Sequence, residues 1–525
     1  MATKPTRIPL AQPIQSRSAS FATDSYTQNV VFEKKDQSVE IVKRPGLVVQ
    51  YYPSNWYTSY TPTTFFGAAR YRGIAGTFGG YTDFYLAFGN LSGTGGIVTV
   101  GTSAGAAFQS VIGTIGQQVT YTTMPAFTTS GGGDAYIAIN TGNYLVYGKM
   151  QHAGIGTTNS FTIVQDSFVG VSIASIVPGV VYLDGMFIVG TAGGQLYNTD
   201  IILTAPEVQI SGYTQPNITS TNVINTYGDS GPLIGITKHL NYVVAFKAFT
   251  TEFYYNAGTP TGPTTAGGPG TPLANYVQAR STIGCVNAYS IVSMQDTIMW
   301  VGQSLNFGKS IYIMNGLTPE RVSTDYIDKY LDADGCVSVF ACSYKYNGHL
   351  LYMLNLNTLN ITLAYDRNTN EWFRWSMYNG TSDSYFPMYQ NLYSTNPTYP
   401  DLFYGIHPIS NVPCIFGMFT SIYTDDSQPV YVRSVTNTED WGTRQPKVFG
   451  RLDVVADQQT GSTVNISHTD TDFITYSTPR SVDLSQTRPV LFQGGRARKR
   501  AYKVEHTANT PFRAEAIELD IKGGS

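Results

Sequence analysis

One hairpin outline recurs along this chain, and its spacing constrains the fold more than any other feature. The segments YLDGMFIVG (182–190), HLNYVVAF (239–246), MQDTIMWVG (294–302), YNGHLLYML (346–354) and YPDLFYGI (399–406) share it. Each places an apolar or aromatic residue close before an Asp or Asn, and an alternating apolar strand follows. The markers Asp184, Asn241, Asp296, Asn347 and Asp401 lie 57, 55, 51 and 54 residues apart. Weaker copies stand upstream at YTDFYLAFG (81–89) and INTGNYLVYG (139–148). Asp or Asn in a tight turn tolerates left-handed backbone or bonds its own main chain. A period near 50 has room for about four short strands, the content of one β-propeller blade. The stretch from about residue 65 to 425 then holds six or seven blades.

Helical periodicity is nearly absent, and only DYIDKYL (325–331) reads as a short helix, capped by Thr324 or Asp325. After Gly335, the runs VSVFACSYKY, HLLYMLNL, NITLAYD and EWFRWS give four strands separated by Asn-rich turns. Trp372 and Trp375 at the end of that unit read as structural side chains buried between blades. Two Gly/Pro-rich stretches, 92–107 and 256–275, read as long projecting loops, because they hold too few apolar residues for a core. The expected organisation is an all-β chain in three parts. Residues 1–50 form an extended arm ending at the turn Arg44-Pro45-Gly46, 51–425 the propeller, and 426–525 a small β-sandwich. The weak strand pattern of the arm predicts that deleting residues 1–20 spares the fold and weakens assembly.

Charged residues make up only 13% of the chain, while Tyr (38) and Gly (52) are abundant. Interface cores lose charge and gain Tyr, so this balance points to a surface partly covered by neighbouring subunits. Net charge is unevenly spread: +3 over 1–50, −7 over 51–425 and +1 over 426–525. A duplex-gripping protein clusters Lys and Arg against phosphates. The acidic middle region predicts a low-friction wall toward any nucleic acid it meets. No apolar run is long enough for membrane insertion, and the N-terminus lacks the apolar stretch of a signal peptide, so synthesis in a cytoplasm is expected.

Chemistry-bearing motifs are missing. The cysteines Cys285, Cys336, Cys342 and Cys414 form no CxxC pair, and the six histidines are scattered without metal spacing. No nucleophile elbow or phosphate loop occurs. Asp325, Asp328, Asp332 and Asp334 cluster on and after the short helix as a solvated face. SHTDTDFITYS (467–477) faintly matches the structural Asp-box turn of sialidases but lacks its Gly and Trp. The expectation is therefore a non-enzymatic chain without cofactor or metal. The concentrated basic patch is Arg496-Ala-Arg498-Lys499-Arg500. On a strand over 498–507, Arg498 and Arg500 would share one face, either as a charged edge or as a partner site.

Three stretches together carry a family resemblance. They are the arm IPLAQPIQSRSASFATDSYTQNVVFEKKDQSVEIVKRPGL with Asp24, Asn29 and Glu33; the segment 252–331, with YVQARSTIGCVNAYSIVSMQDTIMWVG at its centre; and the tail FGRLDVVADQQTGSTVNISHTDTDFITYS…GGRARKRAYKVEHTANTPFRAEAIELDI. In this order they resemble the packaged-DNA stabilisation proteins, or tail hubs, of short-tailed bacteriophages. The resemblance implies a structural virion protein made in the host cytoplasm and built into the tail. It implies a homohexameric ring below the portal and adaptor ring, carrying fibres or spikes and meeting a needle or plug. Genomic DNA would pass through the lumen and be retained until ejection. Arg44, Pro45, Gly46, Arg496, Arg498, Lys499 and Arg500 are the candidate interface residues. The competing expectation is a carbohydrate-binding or carbohydrate-degrading propeller of a receptor-binding tail component.

Overall fold

A computed structural model describes the chain except residues 1–4, 16–23, 36–37, 57–59, 76–79, 94, 103–104, 126–133, 152–159, 167, 169–174, 201–216, 228–230, 259–269, 295, 394–400 and 524–525. Among the described residues, seven sets of antiparallel strands follow one another along the chain as the blades of a β-propeller. Blades one to six occupy 64–112, 120–165, 181–225, 233–275, 284–321 and 339–375. The seventh takes three strands from 390–419 and its fourth, Gly46–Tyr51, from the N-terminal region. That borrowed strand pairs with Pro413–Phe419, so an otherwise free edge is covered and the last blade is tied to the start of the ring.

The markers Asp184, Asn241, Asp296 and Asn347 lie at the turn between first and second strands, while Asp401 opens the second strand of blade seven. Asp184 and Asn347 adopt left-handed backbone in that turn, at φ 47° and 45°. In the fourth blade the left-handed residue is Leu240 rather than Asn241. Apolar clusters fill each seam between successive blades. Trp56, in the turn Pro53–Trp56, and Ala68 and Tyr85 of the first blade meet Leu392, Leu402 and Ile415 of the seventh, which completes the circle. The four strands read after Gly335 form blade six, with Trp372 and Trp375 buried. The short helix runs Asp325–Asp334 between blades five and six. Thr324 accepts from the Ile327 amide, and Gly335 ends it in left-handed backbone at φ 77°.

Residues 92–107 are not a projecting loop. They contain Gly95–Thr102 and the first three residues of Gly105–Ile112, the two outer strands of blade one. Large rings fill the space that the glycines leave. A Cβ on Gly101 would lie 2.3 Å from the Trp56 indole, and one on Gly113 2.1 Å from the Tyr144 ring. Most of the second Gly/Pro-rich stretch, 259–269, lies outside the described residues.

The N-terminal region is woven into the C-terminal sheets rather than lying on the ring as an arm. Thr6–Pro9 pairs with Arg513–Gly523, as does part of the hairpin Val30–Lys35/Ser38–Lys43. Tyr26–Gln28 lies between Glu371–Trp375 of blade six and Val432–Val435. That strand makes blade six continuous with one C-terminal sheet, so the C-terminal unit is not separate from the propeller. Val30, Phe32 and Ile41 are buried with Leu452, Ile517, Val464 and Val504 in one core. The arm looked weak in sequence because its apolar residues come in runs such as Val30-Val31-Phe32, which are buried on both faces and do not alternate.

Candidate assembly surfaces

Arg44-Pro45-Gly46 lies inside the protein. Arg44 is completely buried and forms a two-pronged ion pair with Asp425, at 2.8 and 2.5 Å. Its Nε donates to Asn29 Oδ1 at 3.0 Å, and its remaining donors reach the carbonyls of Pro45 and Ser376. The guanidinium lies 4.4 Å from the Phe386 ring centroid. Asp425 also accepts from the Leu47 amide. Gly46 enters the seventh blade so closely that a Cβ would lie 2.2 Å from the Thr424 carbonyl. These residues join the propeller to the C-terminal unit and are not available to a partner. Asn29, Asp425 and Ser376 complete the node. Only Asn29 stood out in sequence, since the others are brought there by chain separated by hundreds of residues.

The basic cluster divides. Arg500 is buried and grips Asp470 at 2.7 and 2.9 Å while its guanidinium covers Phe449. Lys499 pairs with Asp472. Both carboxylates come from SHTDTDFITYS, the segment that faintly matched an Asp-box turn. The strand begins at Ala501, so 498–500 is a connection, and Arg498 is exposed where Arg500 is buried. Only Arg496 and Arg498 of the cluster remain exposed without a carboxylate among the described residues.

The axis of the propeller is closed by contacts across it. Tyr289, in the connection between Gly284–Cys285 and Val292–Met294 of blade five, donates to the Gln118 carbonyl of the segment entering blade two, at 3.0 Å. Tyr121 of blade two reaches the Asn391 carbonyl of blade seven at 3.2 Å, and Gln390 donates to Val119 at 3.3 Å. Phe340 stacks on Tyr389 at 4.5 Å and meets Tyr289 at 5.6 Å. Burial raises the Tyr289 hydroxyl well above the usual tyrosine range. Sequence gave no warning of this plug, because its members come from four blades and their connections.

A cavity of about 500 Å³ opens where the N-terminal hairpin, the propeller and the C-terminal unit meet, bordered by Lys43, Tyr346, Tyr423 and Phe512. Lys43 is buried and donates to the Ala508 carbonyl at 2.7 Å; burial first, then neighbouring Arg44, lowers it to about 7. His506 stacks on Phe512, and its Nε2 lies 2.8 Å from Ser462 Oγ. Burial, then the charge of Lys43, lowers the imidazole to about 3. The folded state therefore holds His506 neutral while an unfolded chain takes a proton near pH 6.5. Stability is lost as pH falls from about 6.5 toward 3, by about 1.4 kcal/mol per unit from this group. Between pH 6.5 and 4.5 the denaturation free energy should fall by roughly 2–3 kcal/mol more in the native protein than in His506→Gln. Equal losses in the two proteins would remove His506 as the cause.

All four cysteines are buried and unbridged, with burial raising Cys285, Cys336 and Cys414 to about 12. Among the described residues no three His, Cys, Asp or Glu side chains gather in a metal-holding group. None of the described helices is long and apolar enough to cross a membrane.

Residues 94–397, more than half of the chain, match the family model described as Bacteriophage P22 Gp10, beta-propeller. No curated protein matches the chain. Similar solved structures include BBS1N in complex with ARL6DN, at 10% identity and TM-score 0.38, covering 72% of this chain and 98% of that one. The Neurospora crassa Pan2 WD40 domain has 8% identity and TM-score 0.34, covering 72% and 95%. BamB from Moraxella catarrhalis has 11% identity and TM-score 0.30, covering 72% and 100%.

Proposed function

Since the chain belongs to the family described as Bacteriophage P22 Gp10, beta-propeller, and so is a phage structural protein, we propose that it forms the hub or nozzle of the tail. In this reading copies assemble into a ring, six by family resemblance, below the portal and adaptor. The ring continues the DNA channel, retains the packaged genome until ejection, and carries fibres or spikes outside and a needle or plug beyond. The chain acts without catalysis or cofactor.

The observation that carries this reading is the filled propeller axis. Tyr121, Tyr289, Phe340 and Tyr389 occupy the place where a single propeller would otherwise offer a passage. A channel for duplex DNA then has to be enclosed between copies. Its wall would come from propellers that carry −7 over residues 51–425. Such a wall suits a nozzle, because each neutralised phosphate adds a salt-dependent grip that slows release. The test is mass photometry of the protein with and without its adaptor, alongside anisotropy titration with labelled duplex. Rings on the adaptor are expected, with duplex binding no tighter than about 10⁻⁴ M near physiological salt. A monomer or trimer that cleaves host polysaccharide would overturn the reading, and so would sub-micromolar duplex binding with a steep salt slope.

A further inference from the structure

The outer face of the C-terminal sheet ends in an unusual corner. Strand register places Arg496, Val448 and Lys522 side by side across three strands, all three exposed. Buried Lys447 ties in the neighbouring connections. Its ammonium donates to the carbonyls of Thr443 and Gln445 on one side and of Arg498 on the other. Exposed Arg444 and Arg498 are thereby held beside the row. Arg444, Arg496, Arg498 and Lys522 meet no carboxylate among the described residues, although elsewhere in this unit Arg433, Arg451, Arg500 and Arg513 all do. Glu439 and Asp440 lie at the margin, the latter bonded to the Gly442 amide, and Asp520 is in the next row. Apolar surface lies within the corner: Val448 is 43% exposed, and Phe492, four residues before Arg496, is 56% exposed. An apolar centre with an arginine rim is the make-up of a protein interface.

We propose that this corner docks on the acidic face of the propeller of a second copy of this chain. Like charge forbids two such corners from facing each other about a two-fold axis, so the contact is head-to-tail, the kind that closes rings. The propeller supplies complementary charge. Asp184 and Asp200, in first-to-second and third-to-fourth strand connections, and Glu320, just after one, lie on one face, where they outnumber exposed Lys238 and Lys345. All three carboxylates are exposed, and each accepts from an Asn amide: Asn256, Asn222 and Asn315 respectively. The proposal rests on the ring reading above and assigns one side of the contact between copies.

The experiment compares the native protein with Arg496→Glu/Arg498→Glu and, separately, Lys522→Glu, by mass photometry at two salt concentrations. Mixed ¹⁴N and ¹⁵N copies are also joined by a carbodiimide, which links lysine to carboxylate. Expected are a concentration for half-assembly raised at least about tenfold by charge reversal, unchanged near-UV circular dichroism, and inter-copy links from Lys522 to carboxylates of 51–425. Native rings that survive both variants overturn the proposal and leave the ring reading standing. A native protein that stays monomeric even with its adaptor present overturns the ring reading itself. Charge reversal that removes duplex DNA binding without affecting rings overturns the proposal in favour of a phosphate site.

Discussion

Replacing Arg44 by methionine is expected to lower the denaturation free energy by about 3–5 kcal/mol, the cost of leaving one member of a buried ion pair alone. Asp425 would keep its bond from the Leu47 amide but lose both guanidinium contacts in a site with no solvent exposure. Asn29 Oδ1 would lose one of its partners, retaining the Ser376 amide at 2.8 Å. The second variant Arg44→Met/Asp425→Asn separates charge from packing. It should recover part of the loss, because removing both charges also removes the uncompensated carboxylate. Guanidinium denaturation midpoints with their slopes measure both. If Arg44→Met unfolds within 1 kcal/mol of the native protein, on the order of a surface pair, the node does not hold the two units together.

Deleting residues 1–20 should have an effect at least as large, on the fold and not only on assembly. Ile8, Leu10 and Ile14 are buried, and truncating a single such side chain costs about 2–5 kcal/mol. The deletion also strips Thr6–Pro9 from Arg513–Gly523, leaving strand groups unpaired over a buried core. Gln12 and Thr27 lose the two bonds they exchange, at 3.0 and 2.5 Å. The truncated protein is expected to lose near-UV circular dichroism or to be digested through its C-terminal unit by dilute protease. Recovery of a soluble, protease-resistant monomer with an unchanged denaturation midpoint would show that the N-terminal strand merely decorates the sheet. That outcome would restore the sequence-based expectation.

The contrast between these two regions explains what could be read beforehand. A propeller blade is built from neighbours in sequence, so its turns, alternation and period are local. Asp184, Asp296 and Asn347 could be read as turn markers because left-handed geometry or a side-chain bond acts within two residues. Glycine-rich 92–107 misled because the rings that fill the space over those strands, Trp56 and Tyr144, belong to other segments. The same reason governs the charged residues. Arg44 reads as a turn residue until Asp425 arrives beside it. Arg500 reads as part of a surface patch until Asp470 removes it from solvent.

From sequence alone the chain was determined to be an all-β propeller of six or seven units with a charge-poor, acidic middle, because hydrophobic period, turn chemistry and net charge are sums over nearby residues. Tertiary structure alone decided three things: that Gly46–Tyr51 closes the seventh blade, that cross-axis tyrosines fill the propeller, and that only the Arg496–Arg498 end of the basic run stays free. Each depends on which distant edges and charges meet. Pairwise contact between remote segments is set by the packing of the whole chain, and strand pattern alone carries no record of the partner.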